Sequence, residues 1–334
     1  MNSPVRQRFE DSLAGRPGER PVYAVYDWFV QNRPHVDWTQ LFALGLGQIH
    51  HATVTQHIRP HLRIVETISG SNRRDVRWIT DIGELHEWYL GEWRQEHLIK
   101  TPADYRIMAR ALADVEVQPA AECFIPAEDG ITLGVPTLAR TALQAIQIDY
   151  VGLEQFAVDI AMGVPELLEL VEQMNDLTYR EFAVIAQLPV QHLKLWENLS
   201  IETIGPTLYR QNLVPVYKRI LAILEKSGQQ LHVHYDGKLR CIMDDITGLP
   251  FGGIDSFTES PEGDMSVAEA RAAWPEKYLW LHPNLGWYSL PPQDFVGKIR
   301  RICREAGPAR YCLMISEDIP PAWERTVPQI LGLN

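Results

Sequence analysis

From about residue 190 onward the chain repeats one pattern: a short apolar run rich in β-branched residues, a polar residue at its end, a loop, then a segment with helical periodicity. The five runs are HLKLWEN, QLHVHYDG, GIDSFTE, YLWLHPN and ARYCLMISED. Strands that alternate with helices pair in parallel through right-handed crossovers, so the repeat predicts an α/β protein with a parallel, barrel-type sheet. Its 334 residues could hold two domains, but α/β barrels commonly use about 250 residues or more as one unit. No shift in composition marks a boundary, and one domain over 1–334 is expected.

The helices carry their own start and stop signals. VPVYKRILAILEKSG puts Tyr217, Ile220 and Leu224 on one face, with Gly228 as the stop. Ser266 and Glu269 form a capping box, and Ser289 with Pro291 and Pro292 opens the helix QDFVGKIRRIC. Thr101, Pro102 and Asp104 open another through TPADYRIMARALADV. GLEQFAVDIAMGVPELLELVEQMNDLTYREFAVIAQ reads as helical apart from a break at Gly163 to Pro165. PVYAVYDW reads as a first strand ending at Asp27, and DGITLGVP as a further one. LRIVETIS, DVRWITDIG and LHEWYLG read as an antiparallel meander, an N-terminal excursion over about 35–100 that could cap one end of the barrel.

Charge narrows the partners. The formal net charge is −12, from 31 Lys plus Arg against 43 Asp plus Glu, and no basic block interrupts it, so nucleic acid and anionic membranes are not expected to bind. The opening MNSPVRQRFEDSLAGRPGERP is polar where a signal peptide is apolar, and no run approaches the roughly 18 apolar residues of a membrane span. A cytoplasmic location is expected, with homo-oligomerisation left open. Cys123, Cys241, Cys303 and Cys312 form no CxxC pair and are expected to be buried, reduced thiols.

In a parallel barrel the carboxyl ends of the strands converge on one rim, so polar residues there are the first candidates for chemistry. They are Asp27, Glu197, His234 with Asp236, Asp255 with Glu259, His282 with Asn284, and Glu317 with Asp318. Polar residues begin at strand ends in any barrel, so each position alone could be a solvated terminus. The segment HVHYDG is the densest: His232, His234 and Asp236 share one strand face and Tyr235 takes the other. His234 and Asp236 are spaced as two ligands offered to one metal, and imidazole with carboxylate suits zinc or another borderline divalent ion. HHATVTQHIRPH, with His50, His51, His57 and His61, lacks the acid of a zinc-protease helix and reads as surface or structural. No GxGxxG, P-loop or GxSxG segment is present. Tyr26, Trp28, Trp196, Tyr235, Trp287 and Tyr288 adjoin polar strand ends and could wall a small-molecule pocket, although aromatics most often fill core.

Taken in order, RFEDSLAGRPGERP, EHLIKTPADY, GLEQF, PELLELVE, WENLSIETIGPTLY, LHVHYDG, TESPEGD and ISEDIP resemble the uroporphyrinogen decarboxylase superfamily over nearly the whole chain. The resemblance implies a (β/α)8 TIM-type barrel. True members of the decarboxylase branch carry an Arg-rich RQAGR-type motif near the N-terminus. This chain has LAGRPGER there and lacks it. The other branch resembles zinc methyltransferases of corrinoid-dependent methyl transfer, which hold zinc with an HxC pair and a second Cys on the last strand. Here His234 matches the His, Asp236 stands for the first Cys, and Glu317 aligns near the second.

Replacing thiolates by carboxylates gives a harder, more Lewis-acidic site, suited to an oxygen. The resemblance therefore implies a metal-dependent methyltransferase that cleaves a methoxy substrate and passes the methyl group to a corrinoid on a separate protein. His234, Asp236 and Glu317 would bind Zn2+, and Glu197 or Glu317 would serve catalysis. Tyr26, Asp27, Trp28, Trp196, Tyr235, Asp255, His282, Asn284 and Trp287 would contact substrate. The alternative is a metal-free lyase of the same superfamily acting on a small carboxylic acid.

Overall fold

The computed structural model describes residues 5–18, 20–70, 72–120, 129–315 and 327–332. Its centre is a parallel sheet built from β1 (Tyr23–Tyr26), β2 (Gly47–His50), β9 (Thr132–Gly134), β10 (Thr137–Leu138), β11 (His192–Ser200), β12 (Gln230–Asp236), β13 (Gly253–Phe257), β14 (Tyr278–Leu281) and β15 (Tyr311–Met314). The spatial order is β10-β11-β12-β13-β14-β15-β1-β2-β9, and every pairing within it is parallel. YAVY, YLWL and YCLM are buried at every position, as strands covered on both faces must be. The five strands expected after residue 190 are all present, each followed by a helical segment or turn except where β15 meets residues outside the described set.

The two ends of the strand order lie next to each other in sequence, because only Val135 and Pro136 separate β9 from β10. Pro136 has no N–H, so it interrupts the ladder without turning the chain away. Val135 N donates to His50 O (2.9 Å) on one side, and Lys194 N donates to Pro136 O (2.8 Å) on the other.

The antiparallel part is β4 (Arg63–Ser69), β5 (Arg73–Ile79), β6 (Glu84–Leu90) and β7 (Trp93–Glu96), a meander in sequence order, with β3 (Thr55–Ile58) paired to β8 (Glu116–Pro119). Val76, Trp78 and Leu85 bury its inner face. The expected excursion over about 35–100 therefore needs a correction, since β2 inside it belongs to the parallel sheet. GQIH offers one apolar residue in four and no alternation that would reveal it.

The capping boxes at Thr101/Asp104 and Ser266/Glu269 are formed. Gly163, at φ 64°, ends the helix Leu153–Met162, and Pro165 begins the helix Pro165–Ile185. Cys312 is buried, but Cys241 is exposed, contrary to expectation, and Cys123 lies outside the described residues. Among the described residues no helix is long and apolar enough to cross a membrane.

Candidate active site

Strand periodicity places His192, Lys194 and Trp196 of β11 on one face, with His232, His234 and Asp236 of β12, Gly253 and Asp255 of β13, and Trp280 and His282 at β14. Asp255, fully buried, joins them. Its Oδ1 accepts from Lys194 Nζ (2.8 Å) and Tyr26 Oη (3.2 Å), and its Oδ2 accepts from His234 Nδ1 (2.7 Å). His234 Nε2 lies 3.3 Å from Asp236 Oδ1, which also accepts from Ser256 Oγ (2.8 Å). Ser256 reaches Asp236 because its backbone is left-handed (φ 64°), where β13 breaks register between Ile254 and Phe257. A non-glycine residue held in that region marks a locally strained strand end, a common feature of functional sites.

The charges are set by these contacts. Burial alone would raise the Asp255 carboxyl, but Lys194, His234 and His282 hold it well below the carboxylate range. Burial opposes protonation of His234, yet the hydrogen bonds it donates to Asp236 and Asp255 raise its pKa to about 9, making it an imidazolium at neutral pH. Burial likewise lowers Lys194, against the pull of Asp255. Burial takes His282 down to about 4, so this ring is neutral, with Nε2 3.5 Å from Tyr26 Oη. Trp196 stacks on His234 at 4.3 Å between centroids, and the Lys194 ammonium lies 3.8 Å above the Trp280 ring. Both cations thus rest on aromatic faces.

A second carboxylate adjoins this group. Asp27, at the end of β1, accepts from His50 Nδ1 (2.6 Å), His51 Nδ1 (3.3 Å) and the Trp28 amide. Burial opposes its ionisation, but His51 and His50 bring the carboxyl down to about 2. Burial lowers His51 despite Asp27, leaving a neutral ring whose Nδ1 donates to Asp27. His51 Nε2 is then a buried acceptor with no hydrogen-bond partner among the described residues. The His51 ring packs on Tyr26 (4.8 Å) and Trp196 (5.5 Å), and Trp28 stacks on Tyr26 (5.9 Å).

Of the candidates read from the sequence, Tyr26, Asp27, Trp28, Trp196, His234, Asp236, Asp255 and His282 are brought together. Three expectations, for Tyr235, Glu197 and Trp287, need correction. Tyr235 is fully buried against Tyr209, Tyr217 and Phe251, on the helix side of β12. Glu197 faces the same layer: Tyr217 Oη donates to it (2.9 Å), as does Thr141 N (3.2 Å), and burial raises it to about 7. Trp287 packs under Lys298 and Arg301 of the helix Pro292–Ala306. The side-chain Oδ1 of Asn284 caps the turn Leu285–Ser289 by accepting from Gly286 N, while its buried Nδ2 has no hydrogen-bond partner among the described residues. Glu317 and Asp318 lie outside the described residues, and among those described no group of three or more His, Cys, Asp or Glu side chains is gathered to hold a metal.

Sequence reasoning missed Lys194, His50, His51 and Ser256. Lys194 had a signal, being a lysine inside an apolar strand, two residues from Trp196 and so on its face. The histidine-rich segment divides: His50 and His51 join Asp27, while His57 meets Glu181 and the half-exposed His61 meets Asp114. No protein-family model matches the sequence, and a search of curated proteins found no match.

Proposed function

We propose that the chain is a metal-dependent methyltransferase of a corrinoid-linked system, built on a closed (β/α)8 barrel. The single observation that carries the site is the orientation of His234. Its Nδ1–H is committed to Asp255, as the outer nitrogen of a metal-bound imidazole commonly is to a carboxylate, and its Nε2 faces Asp236 Oδ1 at 3.3 Å. Two ligand atoms about 2.0–2.2 Å from a tetrahedral cation stand about 3.3 Å apart, so the pair fits one zinc ion. His234 and Asp236 would hold the metal, and Glu317 is the third ligand that the resemblance implies. When bound, the metal would supply Lewis acidity toward an ether oxygen.

The chain's own residues prepare the rest. Lys194 and Tyr26 fix Asp255, and Asp255 holds the Nδ1–H of His234, so that the ring would present Nε2 to the metal once that nitrogen gives up its proton. Trp28, Tyr26 and Trp196 offer flat apolar surface to an aromatic methoxy substrate, while His51 Nε2, backed by Asp27, accepts a hydrogen bond from a substrate hydroxyl. The methyl–oxygen bond breaks with its electron pair left on oxygen, which takes up a proton. A reduced corrinoid on a separate protein would supply the electron pair that takes the methyl group. The barrel reading is supported by the adjacency of β9 and β10 across Pro136.

The protonated His234 and buried Lys194 favour a second reading, a metal-free lyase in which these cations bind a substrate carboxylate. Elemental analysis of zinc-loaded parent, His234→Ala and Asp236→Ala proteins separates the two. Close to one zinc per parent chain, lost in both variants, is the expected result; no stoichiometric metal in the parent transfers the assignment to the lyase.

A further inference from the structure

At the opposite end of the parallel sheet from Asp255 lies a cavity of about 350 Å3, entered where β1 and β15 begin. Five arginines line it: Arg8 from the first helix, Arg16 and Arg20 from the segment before β1, and Arg300 and Arg304 from the helix Pro292–Ala306. In a chain of net charge −12 this is an unusual concentration of one sign. Among the described residues Asp11 is the cavity's one carboxylate, and Arg16 already neutralises it through Nε (2.9 Å) and Nη2 (2.6 Å). No ion pair is formed by Arg8, Arg20, Arg300 or Arg304 among those residues.

Several features show that the charge is gathered without internal relief. Arg8 is half-buried, and among the described residues it donates only to the Gly45 carbonyl at 3.3 Å and leaves Nε buried without a hydrogen-bond partner. Burial and the nearby Arg20 guanidinium both hold Arg8 below its ordinary value. Arg300 and Arg304 are four apart on one helix face, a like-charge spacing that weakens a helix unless something answers it. Behind the guanidinium groups the wall is apolar or aromatic, with Val22, Pro308 and Tyr311. Guanidinium forks bind phosphate and carboxylate groups in bidentate fashion, and a cavity of this size admits a small organic molecule.

We infer that this cavity is a second ligand site, separate from the Asp255 network, that takes a small organic polyanion carrying phosphate or several carboxylate groups on an apolar body. The inference does not depend on the methyl-transfer reading, because no residue is shared.

Calorimetric titration of the parent with ADP and with citrate at low ionic strength tests it, beside the double variant Arg20→Ala/Arg304→Ala. Both substitutions are at exposed positions, and circular dichroism melting checks that the fold is kept. Saturable binding of either probe below about 1 mM, weakened about tenfold or more in the double variant, is expected. Binding of ADP alone identifies the anion as organic phosphate, binding of citrate alone as polycarboxylate, and binding of both as recognition by charge. No saturable heat with either probe, or equal affinity in parent and variant, overturns the inference.

Discussion

Glu197 shows how far a residue's role depends on which face of a strand it takes. As a buried carboxyl raised to about 7 by desolvation, it binds its proton more tightly in the folded protein than in the unfolded chain, where the ordinary value is near 4.5. The sign follows: this contribution is complete below about pH 4.5 and is lost as pH rises through about 7. Glu197→Gln cannot ionise, so between pH 4.5 and 8 the variant should gain on the parent by on the order of 3 kcal/mol. Urea unfolding at both ends of that range measures the gap, and parallel stability profiles would show that Glu197 is not buried as described. In the Lys194–Asp255 pair two fully buried charges offset each other's desolvation, with His234 and Tyr26 donating to the same carboxylate. Asp255 was legible in the sequence as a polar strand end. Its partner Lys194 was not, because it is 61 residues away and only contact between strands reveals that they meet.

At the scale of the elements, close packing rather than propensity decides several positions. Gly253 lies where β13 passes the ring of His232, which accepts from Trp280 Nε1 (3.0 Å) and meets His192 Nδ1 through Nε2 (3.1 Å). A Cβ at Gly253 would stand 2.4 Å from His232 Nδ1 and 2.5 Å from Tyr278 O, so Gly253→Ala must displace that chain of rings. A loss of about 3 kcal/mol is expected, seen as a thermal midpoint several degrees lower. Gly297, within the helix Pro292–Ala306, has open space at the same test, and Gly297→Ala should instead stabilise by up to about 1 kcal/mol. If both variants melt alike, the crowding at Gly253 is wrong. The helices and the late strands were readable because caps, stops and apolar periodicity are local. β2 and β10 were not, because four residues and two residues carry no period, and they become strands only by pairing with neighbours that are already in place.

For the molecule as a whole, the question is whether the sheet has free edges. If the segment around Pro136 joins the two ends of the strand order, the amides of Val135 and Lys194 should exchange with solvent as slowly as that of Val233 in central β12. Exchange of Val135 and Lys194 at the rate of an exposed edge would mean that the sheet is open. The sequence alone determined the alternation of strand and helix, the capped helix starts, the antiparallel meander and the polar residues that end the strands, since each is written in neighbours a few positions apart. Tertiary structure alone decided which of those polar ends share a space. A period of two already assigns Tyr235 to the face opposite His234, but it leaves the register between strands and the identity of the covering layer free, and these are what set Lys194, His234 and Tyr26 around Asp255 and pack Tyr235 and Glu197 against Tyr217.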